Sequence, residues 1–287
     1  IWPNHIIFAK KKFIDSYLIN ANLPKSSKRL FPIFKSLYIF IFNKFDKIYP
    51  VSNSMASQIK KLIDNSLKIE VLDDTRFDQI KYRKTNKNIN IDLPQNFKSS
   101  KNILFGSIEY RDFKIIIDTL TQFNDYLKSN SINLIFVPHE INPEILAELE
   151  RKLKELDITS VRYNSMGKRN QINVNALVVD SIGILADLYQ YSSISYIGCG
   201  FGKGVHNVME PAIYGNTICF GPNYHILNEA IEMIENKVAY CVEDSKQLFD
   251  VLSMILDQKK LDNNQIRVNK LIQSKFNSTD YLVNEIL

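Results

Sequence analysis

From residue 101 onward, short apolar runs rich in β-branched residues alternate with amphipathic stretches of helical length, a pattern that few folds accept. Residues 101–106 (KNILFG), 131–137 (SINLIFV), 159–163, 175–179 (NALVV), 194–198 (ISYIG), 216–220 (NTICF) and 238–242 predict strands. Residues 111–129, 143–156, 183–191, 206–214, 225–235 and 244–257 predict helices between and after them. Strands apolar on both faces and separated by helices form a parallel sheet covered on both sides.

The first hundred residues are less regular. Residues 5–9 (HIIFA), 17–22 (YLINAN), 46–51 and 68–72 read as strands. Residues 52–65 read as a helix capped by Ser52 or Ser54, with Met55, Ile59, Leu62 and Ile63 on one face. The very apolar stretch 29–45 has Pro32 near its start, where proline suits a first helical turn. It is read as a helix buried against a sheet, in preference to a membrane-facing amphipathic helix. Residues 79–100 are polar, rich in Lys and Asn, and contain Pro94, a linker composition. The expected boundary falls there, giving lobes 1–94 and 95–287. A chain of 287 residues suits two α/β lobes, and the first looks incomplete.

Composition narrows the class. With 45% hydrophobic and 23% charged residues the chain is not a disordered polymer. No apolar run is long enough for a transmembrane helix. Three cysteines without metal-ligand spacing fit a reducing compartment. The chain opens on Ile1 and Trp2 without an initiator Met or signal peptide, and is read as a fragment lacking its true N-terminus. Residues 1–100 hold 18 Lys and Arg against 8 Asp and Glu, whereas residues 101–287 hold 18 against 23. A basic first third suits either an anionic partner or a solvated face. With no recognition helix or aromatic stacking motif, nucleic acid is not expected.

Glycine points to the functional centre. None precedes Gly106, and six of nine lie between Gly198 and Gly221. Within Gly198–Pro211, a strand passes through Gly200, Gly202 and Lys203 to His206, Asn207, Val208, Met209 and Glu210, at an expected helix start with free N–H groups. Glu210 there suits either acceptance of ribose hydroxyls or simple dipole compensation. Pro138-His139-Glu140 also follows a strand, where open α/β sheets bind ligands. Asp180-Ser181-Ile182-Gly183-Ile184 repeats strand, turn and helix, and serves either a nucleotide or a helix cap. Gly106-Ser107 precedes a helix opening at Glu109–Asp112. In Thr75-Arg76-Phe77-Asp78, Arg76 is a permanent cation for phosphate or carboxylate, or a partner of a nearby Asp. No His pair has zinc-ligand spacing, so neither a metal nor a cofactor is expected.

In order, these segments resemble the Kdo transferases, which add 3-deoxy-D-manno-octulosonic acid to a lipid A precursor in lipopolysaccharide synthesis. Trp2-Pro3-Asn4, Asp74-Thr75-Arg76-Phe77-Asp78, Gly106-Ser107, Pro138-His139-Glu140 and Asp180-Ser181-Ile182-Gly183 have counterparts in the family. The most specific piece runs from Gly198 to Pro222, with His206-Asn207, Glu210-Pro211 and Phe220-Gly221-Pro222. The resemblance implies a glycosyltransferase B fold of two Rossmann-like lobes, inversion of configuration, and CMP-Kdo as donor without a donor-binding metal. It implies that 1–94 is a partial acceptor-binding lobe and 95–287 the CMP-Kdo donor-binding lobe. Ser107, Pro138, His139, Glu140, Ile182, Gly183, Ile184, Gly200, Gly202, Lys203, His206, Asn207, Val208, Met209 and Glu210 are the implied substrate contacts. Arg76 is the implied stabiliser of transition-state charge. The partners would be CMP-Kdo, an anionic lipid A precursor and the cytoplasmic face of the bacterial inner membrane, reached peripherally or through a missing N-terminal anchor.

Several positions depart from the family pattern. Asp73 stands where Gly is usual, Ile108 where Thr is usual, Cys199 at a common Gly, and His139 where the best-known branch has Arg. The family's catalytic Glu lies upstream of Trp-Pro-Asn, so the fragment is expected to be inactive. The rival readings are another glycosyltransferase B enzyme using a UDP-sugar, and a non-catalytic nucleotide-binding module.

Overall fold

The computed structural model describes residues 2–24, 27–64, 68–86, 91–166 and 174–286. Two compact units emerge, one of residues 1–79 with 275–287 and one of residues 80–274.

In the first unit, strands β1 (Tyr17–Ala21) and β2 (Lys47–Pro50) pair in parallel, and Ile69 bridges to Ile48. The expected strand at 5–9 is instead part of a helix, Pro3–Lys11. Pro3 sits in its first turn, where a missing N–H costs nothing, and Lys10 and Lys11 end it, complementing the helix dipole. Asp46 pairs with Lys10 and also accepts the Ser16 N–H.

Helix Pro32–Phe42 departs from its expected burial. Only Ile41 and Phe42 are buried, in a core with Leu23, Phe45, Ile48, Ile59 and Leu62. Phe31, Ile33, Phe34, Leu37 and Phe40 are exposed, Ile33 at 87%. The two-stranded sheet is too small to cover the rest of so apolar a helix. Ser52 does cap helix Asn53–Ile59 by accepting the Met55 N–H, but the helix tightens into a 3-10 turn at Lys60–Leu62.

The chain's end returns to this unit as helix Ser278–Ile286. Asp78 accepts the Asn277 and Thr279 N–H groups at 2.7 and 2.8 Å, capping that helix. Lys275 pairs with Asp73 at 2.8 Å, and Lys47 bridges Glu70 and Glu285.

Among the described residues, the second unit holds seven parallel strands, as the alternation predicts. They are β3 (Asn102–Ile108), β4 (Asn133–Pro138), β5 (Ser160–Arg162), β6 (Ala176–Val178), β7 (Ile194–Ile197), β8 (Thr217–Phe220) and β9 (Ala239–Cys241), in the order β5-β6-β4-β3-β7-β8-β9. Strand residues Ile103, Phe105, Leu134, Phe136, Val178, Tyr196 and Cys219 are fully buried, and the rings of Phe105 and Phe136 stack at 4.9 Å. The chain starts centrally at β3, builds outward through β4, then crosses back to β7. Reversal between β3 and β7 opens a crevice at the carboxyl ends of these strands, where open α/β sheets bind ligands.

The expected linker at 79–100 is mostly structured. Helix Arg76–Asn86 carries Arg83 and Lys84; Arg83 pairs with the buried Asp187 at 2.6 Å, and Lys84 donates to the Ile213 carbonyl. Ile91, Leu93 and Phe97 are buried, and Asn96 donates to Asn133 and to the Val174 carbonyl. Its polar residues satisfy buried acceptors, so the compact units divide at 79/80 instead of 94/95. Residues 87–90 lie outside the described ones. Among the described residues, no helix is long and apolar enough to cross a membrane.

Candidate functional site

The site is built on a distortion of β3. Its pairing with β4 shifts register between Gly106 and Ile108, and Ser107 between them adopts the left-handed region at φ 53°. That bulge pushes the Ser107 backbone against the end of β7. A Cβ on Gly198 would fall onto the Ser107 carbonyl oxygen, so only glycine fits there. Gly198 N donates to Gly106 O, and His139 N to Ile108 O, each at 2.8 Å. Ser107, the buried Pro138 and the exposed His139 and Glu140 therefore share one sheet edge.

Asp112, in the first turn of helix Tyr110–Ser129, holds this edge together. Its fully buried carboxylate accepts from Tyr196 Oη at 2.7 Å, and from Cys199 N and Glu109 N at 2.9 Å each. Burial pushes its pKa up, against those three donors. The turn after β7 winds tightly, with Cys199 O accepting from Gly202 N and Gly204 N. It is laced to the turn after β8: Asn223 N donates to Gly200 O at 2.9 Å and Val205 N to Asn223 O at 3.0 Å. A Cβ on Gly200 would come within 2.5 Å of Gly221 N, so these turns meet backbone to backbone.

The turn delivers His206 onto His139, with ring centroids 4.3 Å apart. Burial and the neighbouring His139 lower the pKa of His206, keeping it neutral. Cys199 lies beneath, its Sγ donating to Ser107 O at 3.3 Å, and burial pushes its thiol up to about 12. One ligand atom each from His139, Cys199 and His206 lies within 4.8 Å of the others. Spacing in the sequence predicts no metal site, but His139 comes from a different segment than Cys199 and His206, and only folding assembles the three.

The helix expected at 206–214 begins later and is short, Met209–Ile213. Asn207 Oδ1 accepts the Met209 N–H at 2.9 Å, so the expected set of open helix-start N–H groups is not presented. Val208 and Met209 are buried, whereas Glu210 is partly exposed. Burial raises the Glu210 pKa; Arg83 and a hydrogen bond from Asn207 pull it down, and Asp187 raises it further. The sequence reading missed Arg83 and Asp187 in this role because Arg83 falls in the presumed linker. Its only signal was the amphipathic spacing of Phe77, Ile80 and Lys84.

Ile182, Gly183 and Ile184 project from the turn after β6, with Ile182 exposed at 90%. Neither Asp180 nor Ser181 caps the following helix: both bond Asn164, and Ile184 occupies the cap position without a side-chain bond. Lys203 is exposed on the glycine turn. Arg76 belongs to the other unit, where its exposed guanidinium is bound by Asp74, at 2.7 Å through Nη2.

Residues 1–79 match the family model described as 3-deoxy-D-manno-octulosonic-acid transferase (kdotransferase). A bifunctional glycosyltransferase/methyltransferase of Fusobacterium nucleatum is 25% identical over 288 residues, covering 95% of this chain and 42% of the relative. The 3-deoxy-D-manno-octulosonic acid transferase of Chlamydia muridarum is 22% identical over 263 residues, covering 90% of this chain and 59% of the relative. The chain thus spans about half the length of these curated relatives. The crystal structure of the C-terminal CMP-Kdo binding domain of WaaA from Acinetobacter baumannii superposes with a TM-score of 0.54 at 19% identity, covering 69% of this chain and 97% of that one. The fold is the α/β, parallel-sheet fold of glycosyltransferase B enzymes and related epimerases. The match of residues 1–79 and the kinship along nearly the whole length make the chain similar to the 3-deoxy-D-manno-octulosonic-acid (Kdo) transferases.

Proposed function

We propose that the protein transfers Kdo from CMP-Kdo to a lipid A precursor, with inversion and without a donor-binding metal, and that residues 80–274 hold the donor. The observation carrying this reading is the convergence of Ser107, His139, His206 and the glycine turn at the carboxyl edge of β3, β4 and β7, with Glu210 following His206 on the same segment. The ribose hydroxyls donate to the Glu210 carboxylate, whose charged form Arg83 and Asn207 favour against the burial that raises its pKa. The phosphate lies between the Ser107 hydroxyl, the imidazoles and the backbone of Gly200–Gly202. Ile182–Ile184 border the base. Arg76, a fixed cation, offsets negative charge developing in the transition state.

The first unit supports an anionic glycolipid as acceptor and the inner membrane's cytoplasmic face as location. The exposed apolar residues around Pro32–Phe42 stand among Lys35, Lys44 and Arg29, a mixture that suits an anionic lipid surface.

Calorimetric titration tests the donor assignment. CMP binds at one site and UDP much more weakly, and Glu210→Ala weakens CMP by roughly 10- to 100-fold, the loss of a charged hydrogen bond worth about 1.5–3 kcal/mol. UDP binding in preference to CMP would instead identify a UDP-sugar enzyme.

A further inference from the structure

We propose that His139, Cys199 and His206 form a binding site for a zinc-class divalent metal ion, open to solvent on its fourth side. His139 and His206 are also the imidazoles placed at the donor phosphate, so metal and nucleotide compete for them, and metal binding is tested on the nucleotide-free protein.

Geometry carries it. The three ligand atoms lie within 4.8 Å of one another, and a tetrahedral zinc site with its bonds of about 2.0–2.3 Å needs them roughly 3.5 Å apart, a closure of about 1 Å. His139 is exposed and can complete that closure by side-chain rotation, whereas Cys199 and His206 sit on a turn fixed by hydrogen bonds. A thiolate with two neutral imidazoles selects a borderline-soft ion over calcium or magnesium. Three protein ligands leave the fourth position for water, as in zinc sites that are not purely structural.

The surroundings favour a cation. Glu109, Asp112 and Glu140 are near enough for their charge to act on Cys199, opposed by Lys203. Glu109 Oε1 is buried and accepts no hydrogen bond among the described residues. Asp112 fixes the Cys199 backbone, the kind of outer support that metal-ligating residues require. On binding, the Cys199 thiol releases its proton to solvent and its sulfur lone pair forms the bond to the metal. No electron is transferred.

Cobalt(II) is the probe. Titrated anaerobically into the reduced protein, it saturates at one equivalent, with the thiolate-to-cobalt charge-transfer band and intense visible bands of a four-coordinate site, and zinc displaces it. Cys199→Ser abolishes the charge-transfer band. His139→Ala, at an exposed position that folding does not need, weakens binding by about 10-fold or more. Cys241→Ser leaves the spectrum unchanged. Absence of one-equivalent saturation, a band surviving Cys199→Ser, or unchanged affinity in His139→Ala would overturn the proposal.

Discussion

At the residue scale, Asp112 is the carboxylate on which the crevice depends. Two backbone N–H groups and a buried tyrosine hydroxyl converge on it. Asp112→Ala would leave those donors unpaired, and urea unfolding should register a loss of about 3 kcal/mol or more. Asp112→Asn retains an oxygen for the backbone donors and should lose clearly less. Equal losses in both variants would show that the charge matters, not the acceptor geometry. Glu210 offers a second test, in pH. Its pKa is raised by burial above the ordinary 4.5. Ribose hydroxyls need the charged form, so CMP affinity should hold at neutral pH and fall as pH drops through that raised value. In Glu210→Gln the affinity should be lower throughout, without that component. Identical pH profiles in the two proteins would remove Glu210 from the site.

At the element scale, helix Pro32–Phe42 shows how composition and context divide. Its apolar sequence suggested burial, but only its last turn reaches the core formed with β1 and β2. The exposed remainder should bind vesicles containing anionic lipid, with affinity falling as salt screens the lysines. Ile33→Glu with Leu37→Glu should reduce cosedimentation by about 10-fold or more, since each substitution puts a charge where apolar surface would be buried. Unchanged sedimentation would mean this surface does not meet lipid. The strands of the second unit were legible because residues such as Leu104 and Ile135 are apolar on both faces, a pattern that survives without tertiary knowledge. The helix Arg76–Asn86 was not, because Arg83 and Lys84 look solvated until their partners Asp187 and Ile213 arrive from more than a hundred residues away.

At the scale of the whole molecule, the same distinction between local and distant partners decides what a sequence reveals. The motifs at Ser107, His139 and Gly198–Glu210 were legible because each lies at the carboxyl end of its own strand. Their grouping depends on the crossover from the outer strands back to β7, and the cluster of His139, Cys199 and His206 depends on that grouping. The return of Ser278–Ile286 to the first unit was equally hidden, since Asp73 and Asp78 meet their partners about two hundred residues later. The central claim is that the crevice at β3, β4 and β7 is a CMP site. A crystal structure of the protein with CMP tests it most directly. The account predicts the nucleotide at the carboxyl edge of these strands, with its ribose hydroxyls on Glu210 and its phosphate beside Ser107 and the glycine turn. CMP bound elsewhere, or an empty crevice at saturating CMP, would contradict it.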